Sequence, residues 1–207
     1  MTLSPESLPH NGYALLDQLD HKELIPFVRT YLKKRTPGSV FFNVFNIIIV
    51  AIIVFCFLIY HGNELFSIGR GLMYFCNGIA LAFLLIPLHE YIHVLAYKSQ
   101  GALHTSYDAH LKKFYFLAIA DQFVANNKEF RIVALAPFVV ISTLLIIGCF
   151  FTNPYCTLLL LGTLLTHTAC CSGDFGLLSY FDFHHDKEIV TYDDKEKKMS
   201  YFFWKEK

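Results

Sequence analysis

Long apolar stretches alternate with shorter polar connections along this chain. Four stretches are mainly apolar, at residues 40–60, 71–97, 132–151 and 155–181. A helix of about 20 apolar residues is long enough to cross the hydrocarbon core of a membrane. The pattern therefore predicts an all-α integral membrane protein with four transmembrane helices.

The polar segments complete the predicted architecture. The longest connection is 98–130, where Phe114–Ala120 is rich in aromatic and aliphatic residues; this predicts a small cytoplasmic hairpin or sheet between the second and third transmembrane helices. Residues 1–39 form an amino-terminal arm, either an interfacial helix or a solvated linker. With a transmembrane domain at 40–181, the remaining residues 182–207 form a charged cytoplasmic tail.

Charge and composition narrow the class of protein. Lys and Arg residues concentrate in the arm, in the 98–131 segment and in the tail. Because positive charge is enriched on the cytoplasmic side, both termini are expected there. The chain is 55% hydrophobic and 16% charged, and its formal net charge is zero. A mean hydropathy of +0.43 indicates a lipid bilayer as partner, and the neutral balance argues against nucleic acid.

Three ionisable residues interrupt the second apolar stretch, in the pattern H-E-x-x-H formed by His89, Glu90 and His93. Residues four apart on a helix share one face, so both imidazoles can reach one metal ion, Zn²⁺ in this pattern. Glu90 can take a proton from metal-bound water. Chance residues on a packed helix are the alternative, but ionisable groups in a membrane are costly and are therefore functional candidates.

A third metal ligand is expected because a catalytic zinc takes three protein ligands. Asp174 lies in the fourth stretch. With a helical rise of about 1.5 Å per residue, Asp174 and His93 both lie roughly 6–12 Å inside the predicted cytoplasmic boundary. A carboxylate also offsets the charge of a buried dication. The alternatives are that Asp174 pairs with His167 or caps a helix.

His167 lies seven residues before Asp174, on nearly the same helix face. Four roles are open for His167: a hydrogen-bond donor to the transition state, a residue that orients a metal ligand, an alternative metal ligand, or a core histidine with satisfied hydrogen bonds. Cys170 and Cys171 are either zinc ligands or small packing residues. The six cysteines lie in or beside apolar stretches without C-x-x-C spacing, so a disulfide framework is not expected.

Three motifs carry a resemblance to a known family: Pro87-Leu88-His89-Glu90-Tyr91-Ile92-His93, the segment 131–138 that contains Pro137, and Ser172-Gly173-Asp174. With these motifs, residues 72–182 resemble the zincin peptidase family of small bacterial membrane proteins, which are similar in architecture to site-2 proteases. The resemblance implies a zinc metallopeptidase in the bacterial inner membrane that cleaves a membrane-associated peptide or protein. Site-2 proteases place a proline near their metal-binding aspartate, and no proline is near Asp174.

The predicted reaction is hydrolysis of a peptide bond within or next to the membrane, by attack of zinc-bound water assisted by Glu90. A non-catalytic membrane protein that keeps the zincin site as a metal-binding site is the alternative. A di-iron oxygenase would need more histidine boxes than this chain contains.

Overall fold

The computed structural model describes residues 3–62, 66–110 and 115–206. Within these residues the chain forms seven α-helices, six β-strands and three short 3-10 helices. It divides into two units. The sheet unit consists of Met1–Ser39, Glu90–Ala136 and Gly173–Lys207, and the helical unit consists of Val40–His89 and Pro137–Ser172.

The helices differ in length and in apolar content. Two of them, α2 (Pro37–His61) and α5 (Asn127–Cys149), are long and apolar enough to cross a membrane by themselves. Two consecutive pairs, α3 with α4 and α6 with α7, meet the same criterion only when each bent pair is counted as one span. The described residues thus contain two to four candidate spans, which is compatible with membrane association. The helices are α1 (Leu24–Leu32), α2 (Pro37–His61), α3 (Ile68–Leu84), α4 (Ile86–Ser99), α5 (Asn127–Cys149), α6 (Pro154–Cys170) and α7 (Ser172–Phe183).

The prediction of an all-α protein with four transmembrane helices is wrong, because the described chain contains two β-sheets and only two single helices that qualify as spans. The second predicted span, 71–97, is divided at Leu85. Proline has no N–H and its ring clashes with the carbonyl group four residues earlier, which is that of Phe83, so Pro87 favours an interruption of the helix here. Pro87 then lies in the first turn of α4, where its missing N–H costs little.

The strands belong to the sheet unit. A four-stranded antiparallel sheet has the order β1-β6-β5-β4, and β2 pairs with β3 in a separate antiparallel hairpin. The hairpin lies where the sequence predicts a hairpin or sheet, although Phe114, at the start of the predicted strand, lies outside the described residues. The strands are β1 (Ala14–Asp20), β2 (Thr105–His110), β3 (Tyr115–Ala120), β4 (Ala125–Asn126), β5 (Lys187–Asp194) and β6 (Met199–Glu206).

The larger sheet joins the two ends of the chain. Ala14 of β1 is paired with Trp204 of β6, and β6 continues in register with β5. Asp194 closes the β5–β6 turn: the backbone N–H of Lys197 donates to Asp194 Oδ1 at 2.9 Å, which lowers the pKa of that carboxyl group. The arm and the tail thus supply strands, while the division into 1–39, 40–181 and 182–207 stays a prediction.

Close backbone approach defines the helical unit. A Cβ atom on Gly78 of α3 would lie 2.0 Å from the carbonyl oxygen of Leu159, and one on Gly162 of α6 would lie 2.4 Å from that of Phe75. Thr163 Oγ1 donates a hydrogen bond to the Gly78 carbonyl at 3.0 Å. Small residues allow helices to pack this closely in membranes. The glycines therefore fix α6 against α3.

The α3–α6 contact generates a stability prediction. Replacing Gly78 with alanine should lower the free energy of unfolding by about 1–3 kcal/mol, because the new Cβ forces the two backbones apart. The matched control is Gly69→Ala in the same helix, where a Cβ has no neighbour within 4 Å. Thermal unfolding of the detergent-solubilised protein measures both variants. Equal melting temperatures for the two variants would contradict the packing argument.

Candidate metal centre

The H-E-x-x-H residues lie in the first eight residues of α4. His89 and His93 are one helical turn apart, and their exposed fractions are 8% and 7%. Tyr91 and Leu95 of the same helix are about half exposed. Both histidines therefore lie on the buried face of α4, where ring nitrogens need hydrogen-bond or metal partners.

His93 has a defined orientation within the sheet unit. Its Nδ1 lies 2.9 Å from the carbonyl oxygen of Val133, and its Nε2 lies 3.2 Å from Asp174 Oδ1. A carbonyl oxygen only accepts, so Nδ1 carries the proton and donates it. Nε2 is therefore the nitrogen that faces the carboxylate, either as a protonated donor or as a metal ligand.

Pro137 explains why the Val133 carbonyl is available. Within an α-helix this carbonyl would accept the N–H of the residue four positions later. That residue is Pro137, which has no N–H. Val133 O can thus accept from His93 without competition from its own helix. This partner was not predicted from the sequence, although a proline inside an apolar helix is the signal for it.

Asp174 lies in the first turn of α7, where a carboxylate interacts favourably with the helix dipole. Its side chain is 16% exposed. The sequence predicts that Asp174 joins the H-E-x-x-H residues in one site. Within the sheet unit, its carboxylate contacts His93.

Glu90 is oriented by the β2–β3 hairpin. The backbone N–H of Ala118 in β3 donates to Glu90 Oε2 at 2.9 Å. Ala118 lies opposite Tyr107 of β2, and an N–H directed at Glu90 points away from that strand. Because outward and inward groups alternate along an antiparallel pair, this N–H belongs to the outer edge of β3. Ala118 was not predicted from the sequence, because no local signal marks it.

His167 lies near His89 in the helical unit. His89 Nδ1 and His167 Nε2 are 3.4 Å apart, so one nitrogen donates to the other. His167 is 3% exposed and belongs to α6. Cys171 follows α6 and is completely buried, whereas Cys170 is exposed. Of the two cysteines that the sequence raised as candidates, only Cys171 approaches the histidines.

The predicted site residues are thus partnered in two groups. Glu90, His93 and Asp174 belong to the sheet unit, and His89 and His167 belong to the helical unit. Helix α4 carries both halves of the H-E-x-x-H pattern, since the division of the chain falls between His89 and Glu90. The assignment of individual metal ligands stays a prediction.

Comparison with known proteins gives one family. The family model described as "Putative zincin peptidase" matches residues 82–186, slightly more than half of the 207-residue chain. That stretch includes all five predicted site residues, and the description implies zinc and peptide hydrolysis. No curated protein and no solved structure has significant similarity to the chain. The chain therefore belongs to the zincin peptidase family.

Proposed function

We propose that this protein is a site-2-protease-like zinc metallopeptidase that hydrolyses a peptide bond within or next to a membrane. Its substrate is a membrane-associated peptide or protein. The observation that carries the proposal is the orientation of His93, whose Nδ1 donates to Val133 while Nε2 faces Asp174.

The donor set supports zinc. His89, His93 and Asp174 provide two imidazoles and a carboxylate, a ligand type found in catalytic zinc sites. Ligand atoms about 2.1 Å from a tetrahedral zinc lie about 3.4 Å from each other, and the His93–Asp174 separation is 3.2 Å. A lone pair facing a carboxylate oxygen is unfavourable unless a cation or a proton lies between them. The carboxylate also offsets part of the charge of a buried dication.

Glu90 is the proposed general base. It follows a ligand histidine on α4, and the Ala118 N–H holds one of its oxygens. A bound zinc ion supplies Lewis-acid polarisation of the scissile carbonyl and a water ligand of lowered pKa. Glu90 takes the proton from the attacking water and gives it to the leaving amine, which balances the proton count of hydrolysis.

The outer edge of β3 supports an extended substrate. The backbone N–H of Ala118 on this edge donates to Glu90, the proposed base. Adding an extended peptide to a sheet edge satisfies its backbone hydrogen bonds and places its carbonyl groups in register with the site. A helical membrane segment would have to unwind before it could bind there.

The membrane location rests on the apolar helices. α2 and α5 are long and apolar enough to span, and large side chains of α2 such as Leu58 and Ile47 are more than 60% exposed. Contiguous exposed apolar surface of this kind is unfavourable in water and suits lipid. The Lys and Arg distribution favours a cytoplasmic position for both termini.

Replacing Glu90 with glutamine tests its role as a base. The amide keeps the shape of the side chain but cannot accept the proton, so cleavage of a membrane peptide substrate should fall by about 10²- to 10⁴-fold. Metal content, measured by elemental analysis of the purified protein, should match that of the unmodified protein. Full activity in Glu90→Gln would exclude the proposed mechanism, and retained metal without cleavage in the unmodified protein would favour the non-catalytic metal-binding alternative.

Asp174 is tested through the zinc requirement of cleavage. In zinc-buffered assays Asp174→Ala should need about 10- to 100-fold more free zinc than the unmodified protein, because one ligand is lost. Asp186→Ala is the control, since Asp186 is exposed after the end of α7. An unchanged zinc requirement in Asp174→Ala would remove Asp174 from the ligand set.

The contact between Ala118 and Glu90 is tested by removing its donor. Ala118→Pro eliminates the N–H, so Glu90 loses its anchor and cleavage should fall by about 10- to 100-fold, the cost of misplacing a catalytic group by about 1 Å. Ala118→Gly is the matched control because it keeps the N–H. Metal content should be unchanged in both variants. Equal rates for the two variants would show that this hydrogen bond does not position the base.

A further inference from the structure

Three buried side chains converge within the helical unit. His89 Nδ1 and His167 Nε2 are 3.4 Å apart, and Cys171 Sγ lies 4.0 Å from the first nitrogen and 3.9 Å from the second. The exposed fractions of the three residues are 8%, 3% and 0%. Two imidazoles and one thiol therefore surround a common point in a largely apolar environment.

The local structure of α6 explains the convergence. Cys171 comes four residues after His167, and its backbone N–H still donates to the His167 carbonyl at 3.1 Å. Both side chains thus leave the same face of the last turn. The glycine-mediated packing of α6 against α3 fixes this turn within the unit. Cys170, one position earlier, is turned away and exposed.

The separations match those around a metal ion. With Zn–N of about 2.1 Å and Zn–S of about 2.3 Å, tetrahedral ligands lie about 3.4 Å apart for two nitrogens and about 3.6 Å for nitrogen and sulfur. The nitrogen pair already has this spacing. The sulfur is a few tenths of an ångström too far away, which a small rotation of the Cys171 side chain corrects.

We propose that His89 Nδ1, His167 Nε2 and Cys171 Sγ form a second metal site, selective for a thiophilic divalent cation of the zinc class. A thiolate ligand favours zinc over hard cations such as Mg²⁺ or Ca²⁺. On binding, the thiol proton leaves to solvent. The proton between the two imidazoles moves to the other ring nitrogen of its own histidine, so both histidines bind the metal as neutral imidazoles. The Cys171 thiol donates to the His167 carbonyl at 3.3 Å.

This site is separate in chemistry from the proposed catalytic zinc. It needs neither His93 nor Asp174, and it has sulfur where the catalytic set has a carboxylate. The two sets share only His89, whose Nδ1 faces His167 and Cys171. The second site therefore does not depend on peptidase activity.

Cobalt(II) is the probe, because a cobalt–thiolate bond gives a charge-transfer absorption band that nitrogen and oxygen ligands do not give. The full-length protein in detergent is stripped of metal with a chelator and titrated with cobalt(II). The unmodified protein should develop the thiolate band, and Cys171→Ser should lose it completely. Cys170→Ser is the matched control and should keep the band, because that thiol lies outside the cluster.

Two more variants separate the second site from the proposed function. His167→Ala should weaken the cobalt affinity read from the thiolate band by about 10-fold or more, through loss of one ligand. Asp174→Ala should keep the band at normal affinity even where cleavage is impaired. Circular dichroism and melting temperature confirm that each variant is folded. Absence of the band in the unmodified protein, or its persistence in folded Cys171→Ser, overturns the proposal whatever the outcome of the cleavage assays.

Discussion

The cost of burying ionisable groups constrains the structure more than any other factor. A charged or strongly polar side chain in an apolar environment is unfavourable unless each polar atom has a partner. Helix α4 carries three such groups in five residues. His93 contacts Val133 and Asp174, Glu90 accepts from Ala118, and His89 contacts His167. These partners come from α5, α7, β3 and α6, so the motif sets requirements on four other elements.

Two of these partners are backbone groups, which explains how a small protein can orient a site precisely. The Val133 carbonyl and the Ala118 N–H are fixed by their own helix and strand, so only the His93 and Glu90 side chains lose conformational entropy in these contacts. Each depends on an interruption of regular hydrogen bonding. Pro137 withdraws a donor from α5, and among the described strands only β2 pairs with β3, which leaves the Ala118 N–H on the other edge.

Local spacing was enough to predict part of the site. The period of an α-helix places His89 and His93 on one face, and the position of Asp174 in the fourth apolar stretch, at the depth of His93, indicated the carboxylate. The partners Val133 and Ala118 could not be derived in the same way, because they act through backbone atoms that every residue possesses. Cys171 was a candidate only by composition, since its approach to the histidines depends on how α6 packs.

The errors in the fold have a related cause. A search for charge-free stretches begins the third span at 132, yet α5 begins at Asn127, where Asn126 and Glu129 form a reciprocal capping box. That signal is local and could have been read.

The pairing of β1 with β6 joins Ala14 to Trp204, and no local pattern specifies a partner so distant in sequence. Charged residues in β5 and its turn made the carboxyl-terminal segment resemble a solvated tail, although polar side chains suit the solvent-facing positions of an antiparallel strand. Hydropathy alone therefore predicts which helices can enter a membrane, while the sheet depends on pairing that hydropathy does not encode.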